Sequence, residues 1–485
     1  MKTVISLVPV FDTTTPPLSL AYLKATLQQQ GYACRCIDFT VRYRSIMACA
    51  LGDQQAERAI AARPDLCDAW AEEICSHQPD IVGFTVFESN MKNVRLIAER
   101  VKRALPQVLI VCGGPSLVAQ HLVNIQYCLD FSQVVIEGEG EAVFAQLVRM
   151  HEQGKEITEL KQVWCRGTDG QPVYAGAGDE QAINHIPFPD FTDFRLADYP
   201  FKVRLPLLFS RGCVLNCTFC TNKWNHLNQR TRRGENVFLE AMRDVEEYHI
   251  DEFMMNDDSL ISLVTFKELE IFADLLIDAR KKLSWSVYGT RIERLLTDAY
   301  VQKLARSGLH EVQLGVESFS SRVQKDMGKS SNYELTDKVI RMFERAGVQV
   351  RVWLMYGYPI EANEDFETTL QWLKRNRNLL SHVSANCFSP NDKYFQDRPD
   401  RLERFSWDCW WGWRSKDVDL DARADRFLQL VDALEDEHQH SARGFTYNIW
   451  DPFYLTYVSA WNEEIAHGLQ QQWEEERLKA KPIAV

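Results

Sequence analysis

The sequence predicts an α/β protein: two successive parallel-stranded domains and then a mixed, mainly helical C-terminal region. Two observations carry this. Over residues 1–150, short apolar runs alternate with amphipathic stretches, and from 203 to 390 the alternation resumes six times with more regular spacing. Apolar strands of this length between amphipathic helices form parallel sheets covered on both faces, and their ligands bind beyond the carboxyl ends of the strands. The first domain therefore reads as a Rossmann-like (flavodoxin-like) fold, and the second as a partial (β/α)6 TIM barrel. The expected layout is a first domain at 1–150, a hairpin and linker at 151–200, a barrel at 201–390 and an aromatic-rich part at 391–485.

In the first domain, strands are expected at Val4–Val10, Cys34–Phe39, Asp80–Val86, Val108–Cys112 and Val134–Ile136. Helices are expected at Leu18–Gln30, closed by Gly31, at Met91–Leu105 and from Glu141. Three strand ends are unusual: Thr13-Thr14-Thr15-Pro16-Pro17, Gly113-Gly114-Pro115-Ser116 and Glu137-Gly138-Glu139-Gly140-Glu141. Glycine there lets the backbone approach a flat or bulky ligand, although a tight strand-to-helix turn also uses glycine. The next segment, Val163–Tyr174, reads as a hairpin turning at Asp169-Gly170, and Ile186-Pro187-Phe188-Pro189-Asp190 as an extended linker.

Barrel strands are expected at Leu205–Ser210, Glu252–Asn256, Trp285–Gly289, Glu311–Val316, Val350–Tyr356 and Val383–Phe388. Helices should fall near 236–249, 264–281, 297–306, 333–346 and 364–378. Directly after the first strand stand Cys213, Cys217 and Cys220, spaced Cys-x3-Cys-x2-Cys. A structural zinc site or a fully protein-held iron–sulfur cubane uses four ligands. Here the next cysteine is Cys387, and His226 is the local alternative as a fourth ligand. Three thiolates on a [4Fe–4S] cluster would leave one iron open to an exogenous ligand.

Other strand ends carry candidates of their own. Asp257 and Asp258 could accept from an ammonium or a ribose, or cap the next helix. Arg291 could clamp a carboxylate, or pair with Glu293 or Asp298. Gly315-Val316-Glu317-Ser318, a Gly-x-Glu-Ser run, closes the fourth strand and is the strongest candidate outside the cysteines, although a salt bridge from Glu317 to Arg291 would also account for the glutamate. Tyr356-Gly357-Tyr358-Pro359 ends the fifth strand.

Beyond 391 the βα pattern stops, and seven of the 13 tryptophans occur there. Helices are expected over Asp419–His440 and Ala460–Leu478. Trp410, Trp411, Trp413 and Tyr454 could wall a substrate pocket or simply fill the core of a lid.

Composition narrows the partners. Lys+Arg 55 against Asp+Glu 68 gives a net charge of −13 with no long basic block, which disfavours nucleic acid. No run of about 20 apolar residues is present to span a membrane. The 13 cysteines are odd in number and mostly scattered among apolar residues, as expected for reduced thiols of a cytoplasmic protein.

Cys-x3-Cys-x-aromatic-Cys, with Phe219 as the aromatic, resembles the signature of radical S-adenosylmethionine (SAM) enzymes. With the Gly-Gly-Pro and Gly-Glu-Gly-Glu loops ahead of it, and Pro16-Pro17-Leu18 before Leu20-Ala21-Tyr22-Leu23, the chain resembles the cobalamin-dependent branch of that family. The resemblance implies a [4Fe–4S] cluster on Cys213, Cys217 and Cys220. It implies SAM contacts from Phe219, Asp257, Asp258, Arg291, Glu317, Ser318, Tyr356 and Gly357. For cobalamin it implies a site formed by Thr14, Thr15, Pro16, Phe87, Glu88, Ser89, Gly113, Gly114, Pro115, Glu137, Gly138 and Glu139. Phe11–Leu18 contains no histidine, so a base-off cobalamin with no protein histidine ligand is expected. The implied activity is methylation of an unactivated carbon of a small or carrier-bound substrate. A non-methylating cyclisation, ring contraction or oxidation, and a non-catalytic cobalamin or redox sensor, are the rival readings. An electron donor such as flavodoxin or ferredoxin and a monomeric state complete the expectations.

Overall fold

Short apolar strands alternate with amphipathic helices, the longest of 14 residues, in the first half of the chain. The computed structural model describes residues 1–9, 15–42, 60–178, 181–199, 203–220, 228–390, 392–404, 413–435 and 445–450. Five parallel strands come first: β1 (Lys2–Leu7), β2 (Ala33–Asp38), β3 (Ile81–Thr85), β4 (Leu109–Gly113) and β5 (Val134–Ile136). Their order, β2-β1-β3-β4-β5, is the flavodoxin-like one, with its topological switch point between β1 and β3. Helices α1 (Leu18–Gln29), α2 (Pro64–Ser76), α3 (Met91–Ala104), α4 (Leu122–Leu129) and α5 (Glu141–Glu152) accompany them. One core cluster joins Val4, Val82, Ile110 and Val135 of the strands to Trp70, Val94, Ile97 and Ile125 of the helices. The expected hairpin forms as β6 (Val163–Arg166) and β7 (Pro172–Tyr174), and it adds antiparallel to β5, so it widens the sheet. The proline-rich stretch is also tied down. Lys24 of α1 lies 3.3 Å from Asp190 at its end and 3.0 Å from Asp193 just beyond, and Asp193 accepts from the Cys36 amide at 2.7 Å.

In the second half, strand–helix repeats follow in the expected order. Strand β8 (Leu205–Leu207) is followed by a two-residue ladder, β9 (Ser210–Arg211) with β10 (Arg230–Thr231), and by α6 (Gly234–Tyr248). Then come β11 (Glu252–Met255), α7 (Phe266–Ala279), β12 (Ser284–Thr290), α8 (Asp298–Arg306), β13 (Leu309–Glu317), α9 (Ser321–Asp326), α10 (Tyr333–Arg345), β14 (Gln349–Tyr356), α11 (Asn363–Asn376) and β15 (His382–Cys387). Side-chain caps set two helix starts: Ser320 accepts from the Val323 amide and Asn332 from the Leu335 amide.

The chain divides into two compact units. One is Met1–Val214, Asn222–Tyr288 and Lys303–His310; the other is Leu215–Thr221, Gly289–Gln302 and Glu311–Val485. In the first, β8, β11 and β12 run parallel. In the second, β13, β14 and β15 run parallel and are joined by β18 (Thr446–Trp450) on β15; the preceding short strands are β16 (Glu403–Arg404) and β17 (Trp413–Arg414). The expectation for the C-terminal part contained no strand, so β18 is an addition to it. The helix expected from Asp419 is Leu420–Glu435, and the one expected at Ala460–Leu478 lies outside the described residues.

Candidate functional site

The cysteine loop begins at the end of β9, and a buried carboxylate fixes the chain that leads into it. Asp257, at the end of β11, accepts from the Phe209 amide at 3.2 Å, from the Ser210 amide, and from Ser210 Oγ at 2.6 Å. Both of its oxygens are therefore committed to the chain, and the expectation that Asp257 meets an ammonium or ribose gives way to a lock on the entry to the loop. Burial pushes its carboxyl up to about 7, against the pull of the Ser210 hydroxyl and the two amides. Asp258 is half-buried beside it. Gln229, at the far end of the loop, donates to Ser259 O at 2.7 Å and to Ser210 Oγ at 3.3 Å.

Cys213, Cys217 and Cys220 are each half-buried and outside any disulfide. Among the described residues no His, Cys, Asp or Glu set is already gathered in the manner of a closed metal centre. His226, the alternative fourth ligand, lies outside the described residues. The donor set itself, three cysteine sulfurs on one short loop, suits an iron–sulfur cluster with one iron left for another ligand. The part of the loop within the second unit is seated firmly. The Thr218 amide donates to Met327 O at 3.0 Å, and a Cβ on Gly328, whose φ is +79°, would lie 3.3 Å from Asn216 O and 3.7 Å from Cys217 Cα.

Around that seat the second unit gathers several expected residues and some unexpected ones. A bulge in β13 opposes Gly315 and Glu317 to consecutive residues of β14, and Glu317 takes a left-handed φ of +63°. Bulges re-aim side chains, and a non-glycine residue held in this region marks a site that its surroundings over-determine. The partner of Glu317 is Lys329 at 3.1 Å, not Arg291. Lys329 also donates to Gly315 O at 2.6 Å and stands 5.8 Å from the centre of the Phe219 ring. Arg291 pairs with Glu293, the alternative foreseen for it, while its buried Nε and Nη1 have no hydrogen-bond partner among the described residues. The guanidinium thus keeps buried donors that could meet an anionic group such as the carboxylate SAM carries. Ser318 is fully buried, and its Oγ accepts from the Ser320 amide at 3.1 Å, so the hydroxyl serves the turn.

At the end of β14, Tyr356 is buried and Gly357 has φ +71°. A Cβ there would meet Arg423 Cγ at 2.9 Å. The Gly357 amide donates to Glu361 Oε2 at 2.7 Å, and the next residue, Tyr358, lies within hydrogen-bonding distance of Thr218 Oγ1, 2.9 Å, and donates to Asp326 at 2.9 Å. Lys329, Tyr358 and Asp326 were not singled out in the sequence. Only the Gly-Tyr-Pro turn hinted at Tyr358, and no short-range pattern pointed to the other two.

The first unit brings the expected cobalamin loops to the carboxyl ends of its strands. Thr15 is half-buried and Pro16 buried; Thr14 lies outside the described residues. Phe87, Glu88 and Ser89 follow β3, with the Phe87 amide on Asn90 Oδ1 at 2.8 Å and the Glu88 amide on Ser116 Oγ at 2.9 Å. Gly114 has φ +129°, and a Cβ there would strike Val86 O at 2.5 Å, whereas one on Gly113 would make ordinary contact with Ile136 O at 3.9 Å. Pro115 follows on the same turn. Glu137, before the left-handed Gly138, accepts from the Ala119 amide and from Trp164 Nε1, both at 2.8 Å. Glu139 pairs with Arg211 and Arg230. The carboxylates of Glu137 and Glu139 thus face protein donors, and the backbone at Gly138 is what remains for a ligand.

Trp413 is fully buried. Its ring meets Phe388 edge-on at 5.5 Å and Arg423 at 4.3 Å, within a cluster that includes Tyr358 and Tyr394. The pocket-wall expectation for Trp413 therefore gives way to core packing. Trp410, Trp411 and Tyr454 lie outside the described residues. Among the described residues no helix is long and apolar enough to cross a membrane.

Known proteins carry the same two parts in the same order. The B12 binding domain model matches residues 6–148 and the Radical SAM superfamily model residues 207–373. An uncharacterised methyltransferase of Pyrococcus horikoshii is 25% identical over 378 residues, covering 76% of this chain and 74% of the relative. Cytidylyl-2-hydroxyethylphosphonate methyltransferase of Streptomyces wedmorensis is 27% identical over 390 residues, covering 71% and 69%. The fold is shared with the radical SAM methyltransferase TsrM from Kitasatospora setae, solved with cobalamin and a [4Fe–4S] cluster bound; the TM-score is 0.67 at 15% identity, covering 91% of this chain and 87% of that one. With a corrinoid-type sheet, a three-cysteine loop and both domain models in sequence, the chain belongs to the cobalamin-dependent radical SAM enzymes.

Proposed function

We propose that this cobalamin-dependent radical SAM enzyme is a methyltransferase acting on an unactivated carbon of a small or carrier-bound metabolite. The observation that carries the reading is a loop with three cysteines and no fourth cysteine before Cys387, in one chain with a flavodoxin-like sheet whose strand-end turns hold left-handed glycines at Gly114 and Gly138. When bound, the cluster and SAM supply a 5′-deoxyadenosyl radical and the corrinoid a transferable methyl group. The protein's own residues position and shield. Cys213, Cys217 and Cys220 hold the cluster. Arg291, with two buried N–H groups unpaired among the described residues, takes the SAM carboxylate, and Glu317, fixed by Lys329, faces its ribose or methionine part. Phe219, Tyr356 and Gly357 border the adenine, and the turns at Thr15-Pro16, Phe87–Ser89, Gly113–Pro115 and Gly138 border the corrin, with no histidine in Phe11–Leu18 to reach its cobalt. The electron donor is a flavodoxin or ferredoxin, and the enzyme works as a cytoplasmic monomer.

Anaerobic turnover with trideuteromethyl SAM and candidate acceptors tests the outcome. Label in the product establishes methyl transfer; 5′-deoxyadenosine formed with an unlabelled, rearranged product sinks it. Cys217→Ala should lose cluster iron and all SAM cleavage.

A further inference from the structure

We propose that Glu139, in the Gly-Glu-Gly-Glu turn of the cobalamin-type domain, is a positioning residue that clamps both ends of the cysteine loop and sets the charge beside the cluster. The inference rests on the reading that Cys213, Cys217 and Cys220 hold that cluster. The segment bearing the three thiols leaves β9 at Arg211 and returns at β10 with Arg230, and these two residues are direct cross-strand partners. A ladder of two residues per strand has little stability of its own, and like charges directly opposite one another destabilise it further. The sequence nevertheless puts arginine at both positions.

Glu139 resolves the conflict. Its carboxylate pairs with Arg211, 3.1 Å from Nη1, and with Arg230 Nη2, while Glu141 takes the other Arg211 nitrogen. Arg230 further donates to Gln181 O at 2.8 Å. The four side chains are between 7% and 19% exposed, so solvent screens the pairs weakly. Burial pushes the Glu139 carboxyl up, but Arg211 and Arg230 outweigh it and hold the group below the usual range, as an anion. A turn of the first domain thus supplies the charge that closes a loop lying some 70 to 90 residues later in the chain.

Glu139→Gln removes one negative charge and leaves two guanidinium groups facing each other next to the loop. Extra positive charge near a cluster favours its reduced form. The expected result is a roughly tenfold higher ratio of reduced to oxidised cluster at a fixed ambient potential, a rise of 59 mV for a one-electron couple. Redox titration followed by electron paramagnetic resonance reads this in the reconstituted enzyme. Glu139→Asp, which keeps the charge, should return the potential to the wild-type value, and Asp130→Asn, which removes a carboxylate from another ion pair of the same domain, should leave it unmoved.

Amide exchange around Arg230–Arg232 in the cluster-free protein is the second measurement, expected to quicken at least tenfold in Glu139→Gln. Unchanged exchange together with an unchanged potential overturns the proposal, and faster exchange at an unchanged potential overturns its electrostatic half. If the wild type takes up no cluster, the functional reading fails, and exchange in the cluster-free protein still decides for or against the clamp.

Discussion

Lys329 shows how a site is completed by a residue that no motif announces. Its ammonium holds Glu317 at 3.1 Å and Gly315 O at 2.6 Å, and lies 5.8 Å from the Phe219 ring centre, so one cation joins the bulge of β13 to the aromatic of the cysteine motif. Glu317 needs that support. A left-handed conformation costs a non-glycine residue about 1–2 kcal/mol, and the carboxylate is only 12% exposed. Lys329→Met keeps the aliphatic stem and removes the charge, leaving Glu317 buried and unpaired. Breaking a buried pair in this way costs on the order of 3 kcal/mol, which urea denaturation would read. SAM cleavage should fall at least tenfold while cluster iron is retained; loss of iron in step with activity would show that Lys329 supports the loop alone. Gly-x-Glu-Ser made Glu317 legible in the sequence, because the motif is local. Its partner was not legible. Arg291 is claimed by Glu293 two residues on, and the bulge turns Glu317 towards a lysine beyond the next helix.

At the scale of elements, apolar alternation located the strands of both halves to within a few residues, since burial on both faces of a parallel sheet leaves a continuous apolar run. The helices it named there also fall where expected, but Pro64–Ser76, Leu122–Leu129 and Ser321–Asp326 were not among them. What it missed depends on tertiary partners. β18 is a run of mixed polar and aromatic residues that becomes a strand by pairing with β15, and the hairpin at 163–174 gains its place by hydrogen bonding to β5. The helix Leu420–Glu435, labelled α13 with Asp392–Asp397 as α12, has a role that its amphipathic pattern did not convey. Arg423 packs on Gly357 and donates to Trp413 O at 2.7 Å, while Arg426 pairs with Glu361 at 3.1 Å, both partners almost fully buried. Glu361 in turn receives the Gly357 amide. The helix is thus bolted to the Tyr356–Pro359 turn. Arg426→Met strands a buried carboxylate and should cost about 3–5 kcal/mol. Adding Glu361→Gln should recover part of that loss in a double-mutant cycle of denaturation midpoints, whereas additive losses would show that the two side chains are not coupled.

Across the whole molecule, charge and burial pull stability in opposite directions with pH. Arginine contacts at Glu139, the Thr192 hydrogen bonds and Lys24 at Asp190, and Arg322 with Ser320 at Asp365 outweigh burial and hold these carboxyls below the usual range, so the stability they contribute is lost in acid. Other acids behave oppositely. Burial, and then the neighbouring Glu240, raise Asp244 on α6 to about 8 from an unfolded value of 3.8. Burial likewise raises Asp257 and Glu361 to about 7. A group whose pKa is higher in the folded state retains a proton that the unfolded chain has released, so its contribution is complete below the unfolded pKa and is lost as pH rises through the folded one. For Asp244 that window runs from about pH 4 to about pH 8. The chain, already carrying a formal charge of −13, gains further buried negative charge as these groups ionise. Stability should therefore peak in mild acid and decline through neutrality to pH 8. Asp244→Asn mimics the protonated side chain and removes one titration. Denaturant unfolding at a series of pH values should show the variant and wild type most alike near pH 4–5, with the variant gaining steadily on the wild type up to pH 8 and by a constant margin above it. Parallel curves across that range would mean that Asp244 is already ionised in the fold, with the Arg243 contact at 2.6 Å outweighing burial and Glu240.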